Sequence, residues 1–153
     1  MGALHRALYR SPLGPLTLLG TEDALTGILF AEAREDAEGP VPVLEQAVRE
    51  LEEYFAGQRR EFTVPLAPEG TAFQRKVWTA LEEIPYGTTA SYKDIAVRVG
   101  KPGAAVAVGQ ANSRNPIPII IPCHRVIGAN GKMVGYTGGL HIKKALLAVE
   151  GIN

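Results

Sequence analysis

The segment SYKDIAVRVGKPGAAVAVGQAN, residues 91–112, predicts two short helices joined by a tight turn. Ala96 and Gly100 have the Ala-x-x-x-Gly spacing of a helix-turn-helix, with a small residue where the helices touch and a glycine at the turn. Lys101-Pro102-Gly103 provides the turn, and the second helix is expected over Ala104–Asn112. Many helical hairpins share this pattern, so it predicts the helix pair and only favours a DNA-binding role.

Capping residues mark the start of this segment and the start of an earlier helix. Ser91 and Asp94 can cap the first helix of the pair, while Thr71 and Gln74 form a capping box for a helix that precedes it. Trp78 of that earlier helix is expected in the core rather than as a platform on which bases stack. Its buried stripe is predicted to comprise Phe73, Val77, Leu81 and Ile84.

The first part of the chain predicts an antiparallel sheet followed by one helix. Turn residues separate three short strands, Leu4–Arg10, Leu16–Leu19 and Leu25–Phe30. The acidic segment Ala31–Pro42 is expected to be a loop, and Val43–Phe55 has helical spacing. The segment Phe62–Gly70, with two prolines and a glycine, is interpreted as a linker. The solvent-facing side of the helix is expected to carry Glu50, Glu52 and Glu53.

Charge divides the chain into two parts, although the net charge is zero. Residues 1–66 carry six Lys/Arg and eleven Asp/Glu, whereas residues 67–153 carry ten Lys/Arg and five Asp/Glu. We therefore expect an N-terminal α/β supporting domain over 1–66 and a C-terminal domain over 67–153. The basic second part favours a polyanionic partner such as nucleic acid.

Composition predicts a packed protein of the cytoplasm. Hydrophobic residues make up 46% and charged residues 21% of 153 positions, which argues against wholesale disorder. No apolar run approaches the length of about 18 residues that indicates a membrane span, and the N-terminus lacks the features of a signal peptide. One cysteine cannot form an internal disulfide, which agrees with a reducing compartment. Neither a cofactor nor a metal site is expected.

Cys123 is predicted to be a nucleophile rather than a packing residue. The stiff apolar segment Asn115–Pro122 contains three prolines and delivers the thiol at its end. His124 and Arg125 follow at once, and both can stabilise a thiolate. A base acting on a thiol also needs an orienting acid, for which Glu150 is the candidate. The glycine-rich segment 135–139 is interpreted as a loop whose amides can face a ligand.

These residues identify a resemblance that covers essentially all of 70–151. The chain resembles the O6-alkylguanine-DNA alkyltransferases, also called methylated-DNA–protein-cysteine methyltransferases. The resemblance implies an N-terminal ribonuclease-H-like α/β domain and a C-terminal helical domain with a winged helix-turn-helix. It also implies a cofactor-free suicide reaction that moves an alkyl group from O6 of guanine to a cysteine. The matching segments are Ser91-Tyr92, Asn115-Pro116, Ile121–Val126, Gly135–Leu140 and Glu150-Gly151.

The resemblance assigns catalytic roles to matching positions. Cys123 would be the nucleophile, His124 its base through a water, and Glu150 the residue that holds His124. Asn115 would brace the segment that precedes the nucleophile, and Tyr92 would donate a proton towards the departing guanine and help turn the nucleotide out. The expected substrate-binding residues are Val126, Tyr136, Thr137 and Lys143.

One position departs from the family pattern on the expected recognition helix. Family members place an arginine where this chain has Val106, and arginine can bond to the base left unpaired by flipping. Valine can only act as an apolar wedge, unless Val106 is buried between helices. We therefore expect weakened DNA binding or base flipping with the chemistry at Cys123 retained. The other expected DNA-binding residues are Ala105, Gly109, Ser113 and Arg114.

Three other functions remain open from the sequence. A non-enzymatic alkyl-damage recognition protein would share this fold but would not need Cys123. A regulator that uses the helix-turn-helix would need no reactive thiol, and a cysteine hydrolase would turn over esters. The expected partner is double-stranded DNA containing O6-alkylguanine, bound by a monomer without membrane contact, and its affinity should fall with salt.

Overall fold

The structure is a computed structural model that describes residues 3–33, 37–128, 131, 136 and 138–152. It divides the chain into two compact units, Met1–Glu69 and Gly70–Asn153. Within the described residues, no helix has both the length and the apolarity needed to cross a membrane.

The first unit is a three-stranded antiparallel meander covered by one helix. Strands β1 (His5–Ser11), β2 (Gly14–Gly20) and β3 (Leu25–Leu29) lie in the order β1-β2-β3, which confirms the predicted sheet. Only two residues separate β1 from β2, and Gly14 takes the left-handed φ of 102° at the start of β2. Helix α1 (Pro42–Phe55) closes this unit, with a buried stripe of Leu44, Ala47, Leu51 and Tyr54.

Two expected irregular segments are partly ordered into this unit. The predicted loop ends earlier than expected because Pro42 is the first residue of α1, where a missing N–H costs nothing. The segment interpreted as a linker instead packs against β3. Leu25 donates its N–H to the carbonyl of Pro65 and accepts from the N–H of Ala67, both at 2.9 Å. Val64 is also buried, so the chain leaves this unit only near Glu69.

Glu50 is buried. The expectation that it lies on the solvent-facing side of α1 is therefore wrong. Its carboxylate accepts from the N–H and hydroxyl of Thr63 at 2.8 and 2.7 Å, from the N–H of Val64 at 3.2 Å, and from Gln46 at 2.9 Å. Burial alone would raise the pKa of Glu50, but these hydrogen bonds outweigh it and lower the pKa below its ordinary value. Glu50 therefore fastens the segment after α1 to the helix.

The second unit is mainly helical. Its elements are α2 (Ala72–Glu82), β4 (Ala90–Ser91), α3 (Tyr92–Arg98), α4 (Ala105–Ser113), a 3₁₀ turn (Cys123–Arg125), β5 (Val126–Ile127) and α5 (Leu140–Val149). Strands β4 and β5 pair in parallel, which joins the start of α3 to the segment after Cys123. The two units together give the expected mixed α/β fold class.

The predicted helix starts and the helix pair are confirmed. Thr71 with Gln74, and Ser91 with Asp94, form complete capping boxes at α2 and α3. Trp78 lies in the core with its indole N–H donated to the carbonyl of Ala111 at 2.9 Å, so α2 is tied to α4. The turn after α3 contains Gly100 in a left-handed conformation, and α4 begins and ends one residue later than expected.

A Glu50→Gln variant tests the role of the buried carboxylate. We expect a loss of about 1.5–3 kcal/mol in the free energy of unfolding at pH 7, because charge-assisted hydrogen bonds are lost. Since the folded pKa is lowered, the charged form stabilises the fold above the unfolded pKa, and this contribution fades as pH falls through the folded pKa. Urea titration should therefore show that the difference in the free energy of unfolding between the variant and the native protein becomes smaller in acid. Glu52→Gln, at an exposed position of the same helix, is the control and should change little. A difference in the free energy of unfolding that is the same at all pH values would contradict this role.

Candidate active site

A buried turn brings Cys123 into place. Asn115 holds both ends of this turn, because its amide donates to the carbonyl of Ile121 at 2.7 Å and its oxygen accepts from the N–H of Ile117 at 2.9 Å. Ile121 in turn donates its N–H to the carbonyl of Ile117 at 2.9 Å. The apolar side chains of the turn are buried, as predicted. Cys123 follows directly, as the first residue of the 3₁₀ turn.

Ile119 lies at the tip of this turn in a conformation that β-branched residues avoid. Its φ is 75°, in the left-handed region, and its side chain is fully buried. A strained φ of this kind costs on the order of 1–3 kcal/mol. Burial of the isoleucine side chain contributes about 1.5–3 kcal/mol, which is enough to offset that cost. The path of the chain into Cys123 is thus imposed by packing.

Cys123 is a neutral thiol at rest. Only 1% of the residue is exposed, and this burial raises the pKa of the thiol above its ordinary value. The polar side chains of Asn115 and Tyr136 and the charge of Lys143 lower the pKa of the thiol without overcoming burial. The site is therefore arranged to stabilise a thiolate that forms during reaction, not to hold one beforehand.

His124 has one ring nitrogen engaged and one available. Its Nε2 lies 2.7 Å from Oε2 of Glu150, and both side chains are inaccessible to solvent. Because a carboxylate only accepts, Nε2 carries the proton and Nδ1 carries the lone pair. Nδ1 has no hydrogen-bond partner among the described residues. Burial is the main cause that lowers the pKa of His124, and Arg125 and Lys143 lower it further against the opposing effect of Glu150.

Arg125 does not act on the thiol as the sequence had suggested. Its Nε and Nη2 donate to the two carboxylate oxygens of Glu150 at 2.8 and 3.1 Å, and its Nη1 donates to the carbonyl of Ile84 at 2.7 Å. The N–H of Gly87 also donates to Oε1 of Glu150 at 3.1 Å. Glu150 is the residue on which these contacts converge, so it is a buried acid and not an exposed helix end.

The remaining catalytic and substrate-binding candidates are distributed around Cys123. Burial raises the pKa of Tyr92, and negative charge at Cys123 raises it further, so Tyr92 stays a proton donor. Lys143 is fully buried and donates to the carbonyl of Val126 at 2.6 Å. Tyr136 is half-buried, and Thr137 lies outside the described residues.

Comparison with known proteins assigns both parts of the chain to one family. The DNA-binding domain model of 6-O-methylguanine DNA methyltransferase matches residues 72–152, and the ribonuclease-like domain model matches residues 4–68. The chain belongs to the 6-O-methylguanine DNA methyltransferase family. The ribonuclease-like model lies within the first unit of the chain and the DNA-binding model within the second.

Three relatives illustrate how closely the chain resembles the family. The methylated-DNA–protein-cysteine methyltransferase of Methanosarcina acetivorans is 51% identical over 154 residues, covering 97% of this chain and 99% of the relative. The crystal structure of Mycobacterium tuberculosis OGT in complex with DNA has a TM-score of 0.90 at 51% identity, covering 95% and 92% of the two chains. Atl1 of S. pombe, solved with damaged DNA containing O6-carboxymethylguanine, has a TM-score of 0.50 at 36% identity, covering 56% and 81%.

The exposed surface of α4 is neutral. No residue of Ala105–Ser113 is charged, and Arg114 follows as the C-cap. Val106 is 79% exposed, more than any other large hydrophobic side chain in the described part of the chain. The alternative that Val106 is buried between helices is therefore wrong. Gly109, one turn further along α4, lies against the ring of Tyr92, because a Cβ there would be 3.8 Å from the ring carbons.

Sequence reasoning missed the anchoring of the active site to the segment between α2 and β4. No role was predicted for this segment, yet Gly87 supplies an N–H to Glu150, and Ile84 supplies a carbonyl to Arg125. A backbone group carries no signature of such a contact in sequence. The signal that was available was Arg125 itself, since an arginine inside an apolar run requires a buried partner.

The neutral state of Cys123 can be tested by alkylation with iodoacetamide. The rate should rise with pH through the ordinary thiol range and beyond, because the pKa of the folded thiol is raised. In urea the pKa should return to its ordinary value, so the unfolded chain should react faster at pH 7. A Cys123→Ala variant sets the background. A rate that reaches its plateau below pH 7 would show a preformed thiolate and contradict this assignment.

Proposed function

We propose that the protein repairs DNA by moving a methyl group from O6 of guanine to Sγ of Cys123, once per molecule. The observation that carries this proposal is the buried thiol beside a neutral histidine whose partner is a buried carboxylate. Membership in the family and the likeness to a DNA-bound relative support it. We further infer that the protein acts as a monomer in a reducing compartment, where a single free thiol persists.

The reaction balances with groups present in this unit. The bond between O6 and the methyl carbon breaks, and a bond between that carbon and Sγ forms. His124 accepts the thiol proton at Nδ1 through one bridging water, since adjacent side chains seldom hydrogen-bond directly. The guanine leaves with the electron pair of the broken bond and takes a proton from Tyr92. This leaves His124 with the thiol proton and Tyr92 as a phenolate, and the transfer of one proton from His124 to Tyr92 through solvent restores both groups.

Each contact near the thiol supports part of this proposal. Lys143 and the side chains of Asn115 and Tyr136 favour the negative charge that develops on sulfur. Tyr92 keeps its proton until the leaving group needs it, because its pKa is raised. The product is a thioether, which no second group of the site displaces. One turnover is therefore expected.

The DNA must present the guanine outside the helical stack. A thiol that is 1% exposed cannot reach a methyl carbon within a duplex, so the nucleotide has to turn out into the site. We infer that α4 faces the DNA, with Ala105, Val106 and Gly109 towards the bases and Ser113 and Arg114 towards the backbone. The half-buried Tyr92 next to Gly109 marks where the turned-out nucleotide would pass.

Recognition of alkyl damage without repair is the second candidate function. The exposed Val106 favours it, since an apolar side chain cannot hydrogen-bond to the base left unpaired. The likeness to Atl1, limited to part of the chain, gives it further support. The retained thiol and its buried partners argue for repair, because recognition alone needs neither.

Intact-mass spectrometry after incubation with duplex DNA containing one O6-methylguanine tests the reaction. We expect a gain of one methyl group, confined to Cys123 and ending at one equivalent per protein. Cys123→Ala should bind the same duplex without gaining mass. If the native protein also binds without gaining mass, damage recognition is the better description.

A Val106→Arg variant tests whether the neutral α4 limits DNA binding. We expect duplex affinity to rise about tenfold, because one added charge-assisted hydrogen bond is worth about 1.5 kcal/mol. Methyl transfer at subsaturating DNA should accelerate in parallel. Ala107→Arg adds the same charge at the neighbouring exposed position and controls for general attraction to phosphate. Unchanged or lower affinity and rate for Val106→Arg would overturn the idea.

A further inference from the structure

The carboxylate of Glu150 is shared between a histidine and an arginine. Oε1 accepts from Nε of Arg125 and from the N–H of Gly87, at 2.8 and 3.1 Å. Oε2 accepts from Nε2 of His124 and from Nη2 of Arg125, at 2.7 and 3.1 Å. Each oxygen thus receives two donors, and the guanidinium grips both oxygens in a bidentate pair. This geometry fixes the carboxylate in position and orientation.

Three buried side chains, Glu150, Arg125 and His124, determine the charge balance of this cluster. Glu150 supplies one negative charge and Arg125 supplies one positive charge, and both are nearly inaccessible to solvent. A protonated His124 would leave the cluster with an unbalanced positive charge in a place shielded from bulk solvent, which is costly. Without Arg125, the same carboxylate would instead pair with an imidazolium. The ion pair between Glu150 and Arg125 therefore adds to burial in favouring the neutral form of His124.

We propose that Arg125 is a positioning residue that holds Glu150 and keeps His124 a neutral base whose Nδ1 is available to receive the thiol proton. This role rests on the proposed methyl transfer, and it explains why the guanidinium of Arg125 is bound to Glu150 and to the carbonyl of Ile84. In a site where Arg125 stabilised a thiolate, the guanidinium would have to leave both Glu150 and Ile84.

The other groups around His124 act in the same direction or are neutral. From α5, Lys143 adds a second buried positive charge that disfavours an imidazolium. Cys123, on the same 3₁₀ turn as His124, is a neutral thiol at rest, and the pKa of Tyr92 is raised, so neither supplies negative charge before reaction. Glu150 is the one acid that acts on His124 among the described residues.

Arg125 also connects this cluster to the segment that leads into Tyr92. Its Nη1 donates to the carbonyl of Ile84, and its guanidinium lies over the ring of Tyr86 at 5.7 Å. The hydroxyl of Tyr86 donates to the carbonyl of Val149 at 3.2 Å, next to Glu150. The proton acceptor His124 and the segment before the proton donor Tyr92 are thus held by one guanidinium.

The test combines a pH profile with the titration of His124 itself. In Arg125→Met, the pKa of His124 should rise by about one unit, the effect of one nearby buried charge. The imidazolium then persists to higher pH, so the acid limb of the methyl-transfer rate should move up by the same amount. NMR of ¹⁵N-labelled histidine follows His124 directly, and the chain has only two other histidines, His5 and His141, as internal references.

Two further variants separate positioning from stability. Arg125→Lys keeps the charge but not the bidentate contact, so the His124 midpoint should stay near its native value while the maximal rate falls. Leu81→Ala, a fully buried position of α2, should lower thermal stability without moving the midpoint. If Arg125→Met does not fold, the NMR titration of His124 in Arg125→Lys takes its place. A titration midpoint close to that of the native protein upholds the proposal, and a midpoint raised by about one pH unit overturns it.

The proposal is overturned if Arg125→Met folds and the rate falls equally at all pH values with an unmoved His124 midpoint. The NMR titration does not depend on catalysis. A native protein that transfers no methyl group would therefore refute the proposed function, while the His124 midpoint would still decide the role of Arg125.

Discussion

A carboxylate removed from water must find its hydrogen bonds and its counter-charge within the protein, and Glu150 imposes that constraint on the whole second unit. Its donors come from the 3₁₀ turn that carries Cys123 and from the segment between α2 and β4. Glu150 itself caps the end of α5. Three stretches distant in sequence are therefore fixed relative to one another by a single charge. Loss of any donor would leave a buried acceptor unsatisfied, which is why the arrangement has little freedom.

The chemistry that this arrangement supports depends on position more than on a reactive resting state. Burial keeps both the thiol of Cys123 and the imidazole of His124 neutral. A proton therefore has to move as the substrate reacts, and groups that favour negative charge on sulfur act only at that moment. This restricts reaction to a substrate that is held in line with the thiol. The strained turn at Ile119 serves the same end, because it fixes where the sulfur lies.

Local patterns in the sequence predicted elements well and side-chain partners poorly. The capping boxes, the meander and the buried Trp78 depend on residues close together in the chain or on the regular spacing of apolar residues. All three predictions were confirmed. Glu50 and Arg125 were misjudged because most partners of Glu50, and the described hydrogen-bond partners of Arg125, lie 13 or more positions away. A charge on a helix face indicates solvent only when no distant N–H group approaches it. The segment around Val64 was taken for a linker for the same reason, since its contact with Leu25 is not visible in its proline content.

The burial of Cys123 also bears on how long an unused molecule remains competent. The thiolate form of an exposed cysteine attacks peroxides and disulfides, so an accessible sulfur with a low pKa is readily oxidised. Here the sulfur is covered and its pKa is raised. A protein that reacts once, and only when it meets a rare lesion, is present mostly in its unreacted form. Burial of the thiol is therefore expected to slow its oxidation, so that an unreacted molecule stays competent for longer in the presence of cellular oxidants.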